Sequence, residues 1–478
     1  MTTRHRLLRL TTLAQPARST AVITRRAFLN TAAAILPALA LAACGGPASI
    51  ATSAVSSTAV APKATVVPAA VVVTSPAQLS FVTWGSVDEI KIRQTYTDQF
   101  TKDHPTVKVT FTPTPQNYWN ALQARMAGGE APDVYYLEPA HIIELQCRGA
   151  VLALDSYIQR DKFDLADFYP DAAREYTIDG KLWALARDFA NQDIFYNADL
   201  FKQHGIPLPP RRFDAAGWTF SDFLSACQKL TSGNGPTRTF GFAVPQGYRS
   251  YLAFVWSNGG DIVTSDNAKP AIDQPNAVEG LQFLEDLIGK YQVAPKPSDL
   301  QGQSANSLFF TGRIAMVFGI PAGLAQFRSG VKGFQWDVAP PPLGPHGAKR
   351  QVGGGGAGYG VYGQTKFPDQ SWQFMQWITS GKVQEQEVDS GTSMGSRLSV
   401  GDYFVKVNQG KDPQNVQMFV DTSRNSLHTD PHVSNWLEIQ AVLSKEMAGI
   451  WDAGKPAKDV TAEVARQMAP LLGQPCSH

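Results

Sequence analysis

From about residue 79 onward, apolar residues recur at the spacings of strands and helices. Leu79–Gly85, Val107–Phe111 and Asp133–Leu137 have the short apolar or alternating pattern that is typical of strands. Between them, Glu89–His104 and Asn117–Ala127 carry apolar residues at helical spacing. The order β-α-β-α-β predicts a parallel sheet with helices on its faces, which is an α/β fold. Ligands of such sheets bind beyond the carboxyl ends of the strands.

The chain has 478 residues, which is more than one hydrophobic core usually serves. We therefore expect two lobes. Hydrophobic residues make up 43% of the chain and charged residues 17%, a balance that suits a soluble globular protein.

The first 43 residues have the pattern of an export signal. Thr24–Leu29 resembles the twin-arginine motif, and the apolar stretch Ala27–Leu41 is too short for a stable membrane span. Leu41–Gly45 resembles a lipobox, which predicts a lipid anchor on Cys44; an uncleaved membrane anchor is the alternative. Residues 44–78 are rich in Ala, Ser, Thr, Val and Pro, which predicts a flexible tether. The folded part would then lie just outside the cell membrane.

Removal of the export segment changes the charge. The whole chain has 42 basic and 41 acidic residues, but six arginines and no acids lie in residues 1–43. The remaining 36 basic and 41 acidic residues give a net charge of −5. A mildly acidic protein is a poor candidate for nucleic-acid binding, which needs a basic surface.

Three cysteines remain beside Cys44, and none belongs to a CxxC pair. They are Cys147, Cys227 and Cys476, and an odd number at wide spacing does not indicate a disulfide framework. Cys147 and Cys227 are expected to be buried free thiols, although the sequence leaves one bridge open.

Six segments in register over about 190 residues carry a family resemblance. They are Met126–Val134, Asp179–Leu185, Phe195–Phe201, Trp218–Phe223, Ser257–Gly260 and Phe310–Met316. In this order they resemble motifs of the extracellular solute-binding proteins of ABC importers, in the group that contains maltose-binding protein. The second segment departs from the family pattern because Ala186 replaces a proline.

The resemblance implies two hinge-linked α/β lobes with a ligand cleft between them. The first lobe would comprise residues 79–187 and 355–400, and the second 190–350 and 402–478. Hinges would lie near Arg187–Asn191 and Gln351–Gly356. The glycine-rich run 353–360 fits a hinge better than a phosphate loop, because it lacks the Lys-Ser/Thr of such loops. A monomer without a cofactor is expected.

Sugar sites need aromatic faces for C–H surfaces and planar polar groups for hydroxyls. Residues of these types follow the predicted strands and the first hinge. They are Trp84, Ser86, Gln116, Tyr118 and its neighbour Trp119, Glu138 and Asp188. The resemblance adds further candidates in the second lobe and beyond the second hinge: Tyr248, Trp256, Gly319, Tyr359, Arg397 and Trp436.

These features predict a binding protein that delivers a solute, most simply a sugar or oligosaccharide, to a membrane permease. A tethered extracellular glycan hydrolase is the alternative from another class, since aromatic and acidic residues serve both. The same fold could also hold a phosphorylated polyol, a polyamine or a metal complex. No H-E-x-x-H or G-x-S-x-G motif occurs in the sequence, and the cluster His428–His432 fits a surface loop better than a metal site.

Overall fold

The computed structural model describes residues 75–114, 116–189, 191–300, 302–425 and 427–474. The predicted export signal, the lipobox at Cys44, the tether up to residue 74 and Cys476 lie outside the described residues. None of the helices in the described part of the chain has the length and apolar character needed to cross a membrane.

The described residues form twelve strands, most of them short. In chain order these are β1 (Ala77–Thr83), β2 (Val107–Pro113), β3 (Val134–Leu137), β4 (Thr177–Ile178), β5 (Lys181–Leu182), β6 (Leu185–Ala186), β7 (Asp193–Asn197), β8 (Met316–Gly319), β9 (Trp336–Ala339), β10 (Val352–Gly353), β11 (Gly358–Val361) and β12 (Leu427–His428).

Seventeen α-helices of the described residues surround these strands. They are α1 (Val87–Asp103), α2 (Tyr118–Ala127), α3 (Ile142–Cys147), α4 (Asp155–Asp161), α5 (Pro170–Arg174), α6 (Ala198–Gln203), α7 (Phe220–Leu230), α8 (Tyr248–Trp256), α9 (Pro275–Ile288), α10 (Ala305–Phe310), α11 (Leu324–Gly330), α12 (Pro368–Ile378), α13 (Gly381–Asp389), α14 (Leu398–Asn408), α15 (Gln417–Asn425), α16 (Trp436–Trp451) and α17 (Ala457–Met468). Short 3-10 turns include Pro139–His141 and Pro321–Gly323.

A five-stranded sheet in the order β2-β1-β3-β11-β6 forms the centre of the first lobe. Strand β1 pairs in parallel with β2 and β3, which confirms the predicted β-α-β-α-β unit. Strand β11 runs antiparallel to β3 and β6. Phe81 of β1 packs edge-on against Phe374 of α12 at 5.1 Å, so the helices cover the sheet with aromatic side chains.

A three-stranded antiparallel sheet in the order β8-β7-β9 forms the centre of the second lobe. Helix α7 shares a buried apolar cluster with this sheet. Its N-cap is Thr219, whose hydroxyl accepts from the Asp222 amide in a capping box. The predicted α/β fold with two lobes is therefore confirmed.

The chain passes between the two sheets at residues 187–192 and again at residues 340–357. A third passage follows α14, which packs on α13, and leads to α15 beside β7. The boundary expected at residues 400–402 falls inside α14, and the lobe boundaries stay predictions. Strand β1 begins at Ala77, two residues before the expected start of the first lobe.

One of the two cysteine expectations is wrong. Cys227 on α7 is a buried free thiol, and burial raises its pKa well above the usual range. Cys147 is disulfide-bonded, and it ends α3 in a half-buried position rather than in the core. Sequence spacing does not report which thiols meet in space, so the bridge had no signal in the sequence.

Candidate ligand-binding cleft

A cleft of about 690 Å³ opens between the two sheets. The first lobe contributes the residues that follow β1 and β3, as expected for an α/β sheet. Trp84 and Ser86 follow β1, and Tyr136 and Glu138 lie at the end of β3. The second lobe contributes the start of α8, the turn after β8 and one side of α16. Because both lobes line the cleft, a bound molecule would bridge them.

Aromatic rings form the wall on the first lobe. Trp84 is half-buried and packs edge-to-face on Tyr136 at 5.2 Å between ring centroids. Ser86 begins α1 as its N-cap, where it forms a capping box with Glu89. The cap fixes the turn that carries Trp84 to the edge of the cleft.

A side pocket of about 240 Å³ adjoins the cleft and shares Trp84 and Glu138 with it. Its other walls are Tyr118, Trp119 and His141, and the last two rings stack at 3.4 Å between centroids. The Tyr118 hydroxyl donates to the Tyr136 carbonyl at 2.7 Å, so this ring is fixed and mostly buried. The half-buried Trp119 presents the larger aromatic surface.

The two predicted acids differ in their contacts. The Glu138 carboxylate is exposed in the cleft and makes no hydrogen bond or ion pair within the described part of the chain. Asp188 accepts from Arg187 Nη1 and from the Ala357 amide, both at 2.7 Å. Glu138 is therefore available to a ligand, whereas Asp188 joins the two hinge segments.

A buried ionic cluster lies beneath the aromatic wall. Arg187 is 1% exposed and its Nε donates to Glu387 at 3.0 Å, while Nη1 donates to the Tyr136 hydroxyl at 3.0 Å. Burial alone would lower the pKa of Arg187, but Glu387, Tyr136 and Asp188 together raise it above its ordinary value. Arg187 remains charged, and it holds the Tyr136 ring in the wall of the cleft.

A second polar cluster positions the side chains of the second lobe. The Tyr248 hydroxyl donates to Asp430 at 2.7 Å and accepts from Gln440 Nε2 at 3.2 Å. Arg249 Nη2 donates to the same carboxylate at 2.5 Å. Tyr248, Arg249 and Gln440 all line the cleft, so Asp430 fixes its polar face from behind.

Two tryptophans predicted as ligand contacts are core residues instead. Trp256 is 2% exposed, stacks on His428 at 4.3 Å and donates its indole N–H to Asp261. Trp436 is also 2% exposed and packs edge-on behind Tyr248 at 6.0 Å. Helix α8 is buried on almost every side, so its sequence could not show which ring faces a cleft.

Tyr359 and Arg397 also lie away from the cleft. Tyr359 is fully buried in β11, and its hydroxyl bonds to that of Tyr96 at 2.9 Å. Arg397 donates to the Thr379 carbonyl and pairs with Asp167 at 3.2 Å, so it braces the first lobe.

Gln116 and Gly319 were predicted from loop position and do not line the cleft. Gln116 is exposed before α2, outside both the cleft and the side pocket. Gly319 pairs with Asp193 at the end of β8, where an added Cβ would strike the Phe195 ring. The residue that reaches the cleft is its neighbour, Ile320.

The structure also brings unpredicted residues to the cleft. They are Asp88, Glu89, Tyr136, Pro139, Ala140, Arg249, Ile320, Ala322, Ala325, Gln326, Gly355, Gly356, Ala357, Ser390, Gly391, Thr392 and Gln440. Gln440 lies one helical turn after Trp436 on α16, so the helical period was a usable signal. Gly356 lets its segment lie close to Asp188, because a Cβ at this position would collide with the Asp188 backbone.

Comparisons with known proteins agree with this geometry. The profile of a family described as "Bacterial extracellular solute-binding protein" matches residues 85–385. A putative binding protein of Brucella abortus (strain 2308) is 21% identical over 396 residues, which are 78% of this chain and 87% of that protein. A Pyrococcus abyssi protein named maltotriose-binding protein is 24% identical over 297 residues, or 61% of this chain and 60% of that one.

A solved structure shares the fold. The ABC substrate-binding protein of Listeria monocytogenes in complex with cycloalternan superposes with a TM-score of 0.70 at 23% identity. The match covers 83% of this chain and 99% of that one, so the likeness extends over both lobes.

Proposed function

Because the chain belongs to the family of bacterial extracellular solute-binding proteins, we propose that it binds an oligosaccharide in its cleft and delivers it to the permease of an ABC importer. The observation that carries this proposal is the combination of aromatic surface with an unpaired carboxylate. Trp84 and Tyr248 offer half-buried rings, Tyr136 packs behind Trp84, and Glu138 offers a free acceptor for hydroxyl donors. No chemistry is done on the solute.

The charges in the cleft favour a neutral ligand. Arg249 is the cation that lines the described cleft, and Asp430 already pairs with it at 2.5 Å. A phosphorylated polyol would need an available cation or helix N-terminus. The starts of α1 and α8 do border the cleft, but the first turn of α1 carries the acids Asp88 and Glu89, and Arg249 at the start of α8 is paired. A polyamine would need several free acids; Glu89 and Asp188 are both paired with Arg187, which leaves Asp88 and Glu138. The relatives support this choice, since one is named for maltotriose and another was solved with cycloalternan.

Cleft closure is the mechanism that we propose. Trp84 and Glu138 lie on the first lobe, and Tyr248 and Gln440 on the second. A ligand that contacts both sets stabilises the closed arrangement over the open one. The closed form would then dock on the permease, and a single copy of the chain suffices for this cycle.

The hydrolase alternative is not favoured. The family consists of binding proteins, and Asp188 has both carboxylate oxygens occupied by Arg187 and Ala357. A carboxylate held in this way is a poor nucleophile or base for a glycosidic bond.

Titration calorimetry with maltotriose, glucose 6-phosphate and spermidine tests the proposal. We expect heat of binding with the neutral oligosaccharide and none with the other two. Chromatography of the sugar after incubation should return it intact. Binding of only the phosphate ester or the polyamine, or cleavage of the sugar, would contradict the proposal.

Trp119→Ala should reduce affinity in proportion to ligand length. The side pocket lies next to the cleft, so a third sugar unit would reach the Trp119 ring while a monosaccharide would not. Loss of one stacking surface corresponds to about a threefold to tenfold weaker trisaccharide affinity. Calorimetry with mono-, di- and trisaccharides measures this dependence.

The matched control is Trp377→Ala, which removes a half-buried tryptophan on α12 that lies outside both cavities. Its affinities should equal those of the parent chain. An equal loss for all sugar lengths in Trp119→Ala would exclude the proposed subsite.

Family membership places the folded part outside the cytoplasm. We further propose that the twin-arginine segment exports the chain and that Cys44 carries a lipid anchor. Replacement Cys44→Ser should abolish labelling by a palmitate analogue and move the protein from the membrane fraction to the soluble fraction. Replacement Cys227→Ser serves as the control, because that thiol is buried and should not be lipidated. Unchanged membrane retention of Cys44→Ser would rule out the anchor.

A further inference from the structure

The two lobes meet beside the cleft at a group of residues here named the interlobe contact. The first lobe supplies Pro139, Ala140, Ile143 and Glu175, and the second supplies Asp430, Pro431, His432, Val433 and Trp436. Ala140 packs against the buried cluster of the second lobe. A ring nitrogen of His432, Nε2, lies 3.1 Å from the Glu175 carbonyl oxygen. The cavity left between the lobes is only about 10 Å³.

A carboxyl group without a partner lies inside this contact. Glu175 is 1% exposed, and neither of its carboxyl oxygens has a hydrogen-bond partner among the described residues. The indole nitrogen of Trp436, which lines the same small cavity, is also without a partner. An ionised carboxylate buried in this way is costly, so the group retains its proton instead.

The charges around Glu175 are mixed. Arg249 favours its ionised form, whereas Asp430, Asp188 and Asp171 oppose it. The tyrosines that interact with it are Tyr176 and Tyr248, and His432 lies across the contact. Burial is the largest effect and raises the pKa of Glu175 to about 8.

We propose that Glu175 makes the interlobe contact dependent on protons: the lobes meet with this carboxyl protonated, and their separation exposes it to water and lets it ionise. Second-lobe residues form one side of the small cavity beside Glu175, so a movement that separates the lobes would open this side to water. Asp430 connects the two regions, because it lines the contact and also holds Tyr248 in the cleft.

The sign of the effect follows from linkage. The pKa of Glu175 is raised in the contact relative to the ordinary value of 4.5, so protonation stabilises the contact. This stabilisation is complete below pH 4.5 and is lost as the pH rises through about 8. Within that window the uptake of one proton changes the closed-to-open ratio by up to about tenfold per pH unit.

His432 acts in the opposite direction. Burial lowers its pKa below the ordinary value of 6.5, so its protonation favours separation of the lobes at acidic pH. Between pH 6.5 and pH 8.5, the effect of Glu175 ionisation on the lobe separation is therefore least affected by His432.

Electron spin resonance of a labelled pair measures the lobe separation without any sugar. Val87 is 82% exposed on the first-lobe rim, and Ile320 is 41% exposed on the opposite rim. Spin labels on Val87→Cys and Ile320→Cys in the full chain report the distance across the cleft. The labelled chain is compared with the same labelled chain carrying Glu175→Gln, whose side chain has a similar shape but cannot ionise. The control carries Glu130→Gln, a replacement at an exposed position.

We expect the short-distance population of the parent pair to fall several-fold from pH 6.5 to pH 8.5. The control should behave in the same way, and Glu175→Gln should show no dependence on pH in this range. A parent pair that does not respond to pH, or a Glu175→Gln variant that responds like the parent, overturns the proposal. The outcome does not depend on which solute the cleft binds.

A second measurement covers the case in which Glu175→Gln fails to fold. Carbon-13 resonance of glutamate side-chain carboxyls should show a group that titrates near pH 8; burial also raises the pKa of Glu387, and the variant Glu387→Gln identifies that second signal. If all glutamates titrate near their ordinary range, the proposal is wrong.

Discussion

Arg187→Met is expected to lower the free energy of unfolding by about 3–5 kcal/mol, the range found when one partner of a buried ion pair is removed. The Arg187 guanidinium contacts Glu387, Asp188 and the Tyr136 hydroxyl, and its side chain is 1% exposed. Methionine fills the volume but leaves the buried Glu387 carboxylate without its cation. Guanidinium chloride unfolding at pH 7 measures the change.

The control is Arg212→Met, which removes an arginine whose ion pair with Asp214 is exposed to solvent. No measurable change in Tm is expected there. The double variant Arg187→Met with Glu387→Gln should recover part of the loss, because it no longer buries an unpaired carboxylate. A loss below about 1 kcal/mol for Arg187→Met would show that the buried cluster does not depend on its cation.

Trp84→Ala is expected to weaken oligosaccharide binding by about 10- to 100-fold, or roughly 1.4–3 kcal/mol. Trp84 lines both the cleft and the side pocket, so it would contact more of a long ligand than any other ring described here. Calorimetry with the tightest-binding neutral oligosaccharide measures the loss. Unfolding should change less, because the side chain is only half-buried and its removal leaves no closed cavity.

Trp183→Ala is the matched control, since Trp183 is half-buried and lines neither cavity. Its affinity should equal that of the parent chain. If Trp84→Ala binds the sugar within about twofold of the parent, aromatic stacking on the first lobe is not a source of affinity.

The early part of the fold could be predicted because its signals are local. β1 and β3 are mainly apolar runs, β2 alternates apolar and polar residues, and the helices between them have clear ends. Two-residue strands such as β6 and β10 have no such signal, because they exist only through pairing with distant segments. The disulfide at Cys147 was missed for the same reason.

For the candidate site, too, local signals could be predicted and contacts between distant segments could not. Trp84 and Glu138 follow parallel strands, and the fold alone places such residues at a cleft. Trp256 lies on α8, which is buried almost throughout, and Trp436 lies on the buried face of α16, so both tryptophans pack in the core. No sequence pattern pointed to Glu175, because a loop more than 250 residues away in the chain contributes to its burial.

Small-angle X-ray scattering with and without a panel of neutral oligosaccharides measures whether the two lobes close on a ligand. If a sugar bridges Trp84 and Glu138 on one lobe and Tyr248 and Gln440 on the other, the lobes close around it. We expect a smaller radius of gyration with each sugar that binds by calorimetry. A radius of gyration that stays the same across the whole panel would contradict it.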